Sequence, residues 1–157
     1  MTDIRLGWRE ELASADVVLS PTGGDLETDD GLETAVIVSL FTDRRALDDD
    51  RLPAEADDRR GWWGDVAPPV EGDQTGSRLW LLAREKRTAD VLNRAREYTR
   101  EALAWLLEDR VATRVEVDVE YLDVDWLALL VEIHRPDGSR LSGRYRYNWR
   151  AQFTEGE

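Results

Sequence analysis

Thirty-four carboxylates and a single imidazole set the limits of what this chain can do chemically. Hydrolysis of a glycan by carboxylates needs two acids at a fixed separation, one with a raised pKa. Asp48, Asp49 and Asp50, and then Asp57 and Asp58, offer acids in runs. They fall in a long polar stretch with nothing to desolvate them, so solvated charge is the better reading. A Ser-His-acid triad would have to use His134, the only histidine. It falls beside Arg135 at a hairpin end, with no nucleophile elbow nearby, and reads as a surface residue. One imidazole also excludes clustered histidine sites of the usual zinc type. The absence of cysteine removes thiolate nucleophiles, disulfides and iron-sulfur ligation. Asp25, Glu27, Asp29 and Gly31 alternate like a calcium loop, but the glycine is one place late and Val36 stands where the twelfth-position Glu belongs. Gly72 to Arg78 resembles a phosphate loop only loosely, lacking the Gly-Lys-Ser/Thr ending and a preceding apolar strand. No catalytic group, metal or cofactor is therefore expected.

Two constellations remain, and both suit contact rather than catalysis. Trp62 and Trp63 lie between Gly61 and Gly64. Each ring can anchor an interface, and one can equally plug the core and fix the loop. Glu108, Asp109 and Arg110 end an amphipathic stretch. By themselves they are a helix terminus with an exposed ion pair worth under about 1 kcal/mol. Their place at a helix-to-strand junction is a rigid one from which to present charge. Arg110 can also meet the negative helix end.

The elements that must position these residues follow from periodicity. Residues 3–20 read as extended, with Ile4 and Leu6 alternating with polar neighbours, and Thr22 to Asp25 as a turn. Asp30 and Glu33 have capping-box spacing before an apolar run through Thr42. That run is rich in β-branched residues, but its cap and length favour a short buried helix. Residues 43–76 form a long connection of a kind usually functional or disordered. Ser77 to Leu82 make one or two helical turns. Thr88 caps a helix from Ala89 to about Asp109, whose apolar positions recur at spacings of three and four. Its roughly 21 residues span about 30 Å. Val115, Val117, Val119 and Tyr121 then alternate with polar residues, as do Leu127 to Ile133 and Tyr145 to Trp149. Turns fall at Asp123 to Asp125 and Pro136 to Gly138. The expected fold is α+β, one domain over residues 1–157. A long helix packs on a C-terminal antiparallel three-stranded meander, with a shorter N-terminal helix, an extended N-terminal segment and a flexible tail at 150–157.

Composition narrows the partners. A chain of 157 residues has room for a core without staples. The formal charge of −13 repels phosphate backbones, so nucleic acid is not an expected partner. Of the 21 basic residues only Lys86 is lysine. Arginine makes bidentate bonds to carboxylates and suits protein interfaces, although a GC-rich genome explains the bias as well. No apolar run is long enough to span a bilayer, and the N-terminus lacks a signal-peptide pattern.

Four separated segments carry a resemblance: ETAVIVSLFTDRRA (33–46), RGWWGD (60–65), GSRLWLLAREKRT (76–88) and EALAWLLED (101–109). In this order they resemble the small baseplate protein of Mu-like phages, over about Asp3 to Trp149. That family is similar in role to the small wedge protein of T-even phage baseplates. It is related more distantly to a baseplate component of type VI secretion systems. The resemblance implies a structural protein of the virion tail baseplate, assembled in the bacterial host cytoplasm. It implies clamping of larger wedge proteins around the central hub and spike, and support for the first sheath ring. The wider wedge family grips its larger partners with a Glu-Pro-Arg motif just after the main helix. Glu108 and Arg110 match that place, with Asp109 where the family has Pro. The implied partner-binding residues are thus Glu108, Arg110, Trp62 and Trp63. A carboxylate-dependent cell-wall glycan hydrolase is the alternative.

Overall fold

A computed structural model of the chain describes residues 3–19, 28–29, 31–53 and 57–150. The extended N-terminus is there, but it doubles back. Strands β1 (Asp3–Ile4) and β2 (Leu6–Arg9) are followed by β3 (Ser14–Val17), and β4 (Thr28–Asp29) comes later. β2 and β3 form an antiparallel hairpin with Trp8 opposite Ala15, while β1 pairs with β4. The hairpin turn at Glu10 to Ala13 contains no Gly, Asn or Pro, so nothing in the local sequence announced it. Trp8 stacks on Phe41 with ring centroids 4.2 Å apart, which seats the hairpin on the first helix. The predicted turn at 22–25, Asp25 and Glu27 of the rejected calcium loop and the tail after Arg150 lie outside the described residues.

Helix α1 runs Leu32–Phe41, as expected. Its β-branched residues tolerate the helix because nearly every side is covered, with Val36, Ile37 and Leu40 at 3 % exposure or less. Its cap is Gly31, at φ 80 with no side-chain cap bond. Asp30, the expected cap, lies outside the described residues, and Glu33 accepts instead from Arg5 at 3.4 Å.

The connection at 43–76 closes at its base, where Asp43 and Ser77 form a parallel bridge. The Ser77 N–H donates to the Thr42 carbonyl at 2.9 Å and its hydroxyl to the Leu40 carbonyl at 2.6 Å. Gly76 makes this closure possible. It has φ +102, and a Cβ there would fall 2.3 Å from the Thr42 oxygen. A short 3-10 helix occupies Trp63–Val66 within the connection. A second, Leu79–Leu82, is wholly buried.

Helix α2 (Ala89–Ala102) starts at Thr88, whose hydroxyl accepts from the Val91 N–H at 3.3 Å. The predicted 21-residue helix is not straight. It bends at Leu103 and Ala104 and continues as α3 (Trp105–Glu108). Two local features account for the bend. The Thr99 hydroxyl donates back to the Ala95 carbonyl at 2.7 Å. The Leu103 N–H is shared between the Thr99 and Arg100 carbonyls, which tightens the turn. The bend lets both Leu103 and Leu106 enter the core, at 1 % and 0 % exposure.

Strands β5 (Arg114–Tyr121), β6 (Trp126–His134) and β7 (Arg140–Asn148) form the expected antiparallel meander. Val117, Val131 and Gly143 share one row of the register. The inner face buries Val119, Leu129 and Ile133 in the common core, and Tyr145 and Tyr147 beside Phe41 of α1. Each such side chain contributes about 1.5–3 kcal/mol of transfer free energy. The outer face carries the polar half of the alternation. Glu116, Asp118 and Glu120 lie on β5, and Arg140, Arg144 and Arg146 on β7.

Candidate functional site

The turn from α3 into β5 is fixed by backbone bonds from both sides. Asp109 N–H donates to the Trp105 carbonyl at 2.8 Å, Arg110 N–H to Leu107 at 3.2 Å, and Ala112 N–H to Leu106 at 2.8 Å. On the strand side the Thr113 N–H and hydroxyl both donate to the His134 carbonyl, at 2.8 and 3.1 Å. Leu106, fully buried, anchors the turn in the core. Rigidity here does not require proline at position 109. Arg110 closes the helix in the left-handed region at φ 58, the place where helices commonly put glycine. A residue with a Cβ is strained there, and such strain collects at functional positions. Glu108, Asp109 and Arg110 are all exposed. Among the described residues no side-chain ion pair joins Glu108 to Arg110, so the simple surface pair expected at this helix end is not what forms.

The tryptophan pair is also presented outward. Trp62 is 40 % and Trp63 80 % exposed, so neither plugs the core. Their rings lie 5.3 Å apart, and Gly64 lets the Trp62 ring lie against the backbone. With Val66 and Val70, 87 % and 66 % exposed, they make an apolar knob. The core position expected for one of them belongs to Trp80, at 2 % exposure, whose indole N–H donates to the Arg44 carbonyl at 2.8 Å. Arginines hold the loop. Arg60 pairs with Asp43 at 2.8 Å and lies 4.5 Å from the centre of the Trp80 ring. Arg59 donates to the carbonyls of Leu47 and Asp48. Arg78 donates to both oxygens of Asp50 at 2.8 Å and to Glu101 at 2.9 Å, and sits over Tyr98. Burial works against the Arg78 charge, but the bonds to Glu101 and Asp50 outweigh it and hold the guanidinium above its ordinary range. Asp50 is thus not the solvated acid its sequence context implied. Its partner Arg78 lies 28 positions on, so no local pattern marked the pair.

The structure brings Glu108 and the long connection together. A groove of about 630 Å³ separates Val70, Glu71 and Asp73 from Trp105, Glu108 and Asp109. The knob is tied to its wall, because Asp65 accepts from the Thr75 N–H at 3.1 Å. Trp105 is steadied by its indole N–H, which donates to the Ser39 hydroxyl at 3.1 Å. Arg110 does not line the groove. Gly76, part of the loose phosphate-loop match, closes on Thr42 as described above. Among the described residues, the three that could offer ligand atoms to one cation are Glu116, Glu132 and His134, on the outer sheet face.

An exposed tryptophan pair, an acid-lined groove and a charged turn thus share one stretch of surface. The sequence profile of the family described as phage protein GP46 matches residues 32–140. The chain belongs to this family. The matched span of this GP46-family chain runs from α1 to the start of β7, and so includes the tryptophan knob and the Glu108 to Arg110 turn. Baseplate protein gp46 of Escherichia phage Mu is similar at 45 % identity over 98 % of this chain and 99 % of its own length. Mu-like prophage FluMu protein gp46 of Haemophilus influenzae is similar at 38 % identity, over 95 % of this chain and 98 % of its own length. The resemblance read from the sequence is borne out.

Proposed function

We propose that this GP46-family chain is a structural component of a phage tail baseplate, clamping larger wedge subunits around the central hub and supporting sheath initiation. The observation that carries the reading is the turn at Glu108 to Arg110. It is exposed, charged, pinned by backbone bonds on both sides, and strained at the arginine. Glu108 and Arg110 are the gripping residues. Trp62 and Trp63 supply a second, apolar contact. Larger wedge proteins are the main partners, with spike, hub and sheath proteins as further ones, and the site of action is the virion tail baseplate after assembly in the host cytoplasm. The charge of −13 works against nucleic acid. No helix among the described residues is long and apolar enough to cross a membrane. The protein acts by contact rather than by turnover. The glycan-hydrolase alternative has no comparable support: Asp50 and Glu101, two acids shielded from solvent, are both committed to Arg78.

Pull-down with the neighbouring larger wedge protein tests the reading. Wild type binds, and the double variant Glu108→Ala with Arg110→Ala binds at least about tenfold more weakly at an unchanged circular dichroism spectrum, the loss expected of a central contact. Equal binding by the variant shows that the grip lies elsewhere. No binding by wild type, under conditions that assemble other baseplate proteins, removes the reading itself.

A further inference from the structure

We infer that Glu116, Glu132 and His134 form a binding site for one divalent transition-metal ion of the zinc or cobalt(II) type. The register sets the problem that such an ion solves. Glu116 and Glu132 lie directly opposite each other across β5 and β6. Like charges in that relation destabilise a sheet, and a cation held between them adds to the relief that the flanking arginines give. His134 lies two residues along β6 on the same face, and it turns toward both acids. Its Nε2 is 3.1 Å from Glu116 Oε2 and 2.9 Å from Glu132 Oε1. All three ligand atoms lie within 4.8 Å of one another.

Those separations suit a metal. Bonds of about 2.0–2.2 Å place neighbouring ligand atoms about 3 Å apart at right angles and about 3.4 Å apart at tetrahedral angles. The donor set, one imidazole nitrogen and two carboxylate oxygens without a thiolate, favours borderline ions over soft ones. The imidazole disfavours calcium, which takes oxygen ligands. The frame is stiff, because two ligands share β6 and the His134 carbonyl is held twice by Thr113. An outer shell is present as well. Arg114 donates to Glu116, and Arg140 to Glu132 at 3.5 Å. Bonds of this kind orient ligating carboxylates, while the two positive charges temper the affinity. The His134 side chain is 24 % exposed, so the site opens to solvent on its outer side. Further positions of the ion are left to water or to a neighbouring protein. The site depends on neither the proposed clamp nor its partners.

Calorimetric titration of chelator-treated full-length protein with zinc, in excess calcium, tests the site. The expected result is one equivalent bound, weakened at least about tenfold in His134→Ala and separately in Glu132→Gln. Asp48→Asn with Asp49→Asn should bind zinc like wild type, which separates the site from general attraction to an acidic protein. Cobalt(II) should give visible absorption bands that disappear in His134→Ala. His134→Gln serves as a second variant should the alanine form lose its fold. Absence of saturable zinc binding by wild type overturns the inference. So does wild-type affinity in both His134 variants, which would leave the imidazole as a bridge between two glutamates.

Discussion

Replacing Arg110 by glycine should leave the fold about as stable as wild type, more stable than the alanine variant, and weaken the protein's function. Arg110 sits at φ 58, where the Cβ of any L-residue crowds the following carbonyl at a cost of about 1–2 kcal/mol. Glycine removes that cost but loses more backbone entropy on folding, by about 0.5–1 kcal/mol. It also gives up the favourable charge at the helix end, worth about 0.3–1 kcal/mol at an exposed site. Comparison with Arg110→Ala isolates the strain, because alanine loses the same charge and keeps the Cβ. The glycine variant should exceed the alanine variant by about 1 kcal/mol, seen in urea denaturation at equal m-values, or by about 2–4 °C in melting temperature. Both variants should bind the larger wedge protein more weakly than wild type does. A glycine variant no more stable than the alanine one would show that Arg110 carries no strain. A stabilised variant with undiminished binding would refute the link between that strain and the grip.

Four further outcomes follow from the loop and the core. Arg78→Ala leaves Asp50 and Glu101, with side-chain exposures of 13 % and 31 %, facing each other without their shared cation. It should cost about 3 kcal/mol, at the low end for a broken buried pair because Glu101 is partly solvated, and lower the melting temperature by about 6–12 °C. Trp80→Ala should cost about 3–5 kcal/mol in denaturant titration. Trp63→Ala should cost less than about 0.5 kcal/mol while reducing partner capture. Burial pushes the Tyr147 phenol far above its ordinary range, and burial with the nearby Glu33 charge pushes Tyr145 up to about 12. The folded-state values are raised, so this stability is fully present below the unfolded pKa of about 10 and is lost as pH rises toward about 12. Tyr145→Phe with Tyr147→Phe should therefore move the alkaline unfolding midpoint upward, read by circular dichroism against tyrosinate absorbance. An unchanged midpoint would assign the alkaline loss to other groups.

The stability of the long connection has a consequence for assembly. Its fixed points are arginines bonded to carbonyls and carboxylates, not aromatic rings sunk in the core. Such a loop can present Trp62 and Trp63 to a partner without drawing core side chains outward. Loops whose backbone is held in place before docking lose less entropy when they bind.

Local patterns in the chain specified much of this protein. Alternation from Val115 to Trp149 marked three strands and both turns, since a pleated strand with one buried face must alternate. Thr88 marked the start of α2, because a hydroxyl there satisfies an otherwise orphan N–H. The motif series from Glu33 to Asp109 marked the family. What the sequence could not carry were choices made by distant neighbours. The N-terminal hairpin turns without a turn signal because Trp8 finds Phe41, thirty-three positions on. Trp80 rather than Trp62 or Trp63 fills the core because Arg44 and Arg60 are placed to hold it. The acids of Glu116 and Glu132 meet His134 only through strand register. Periodicity records which side of an element faces inward. Which side chains meet across the fold depends on how the elements pack, and that was settled in three dimensions.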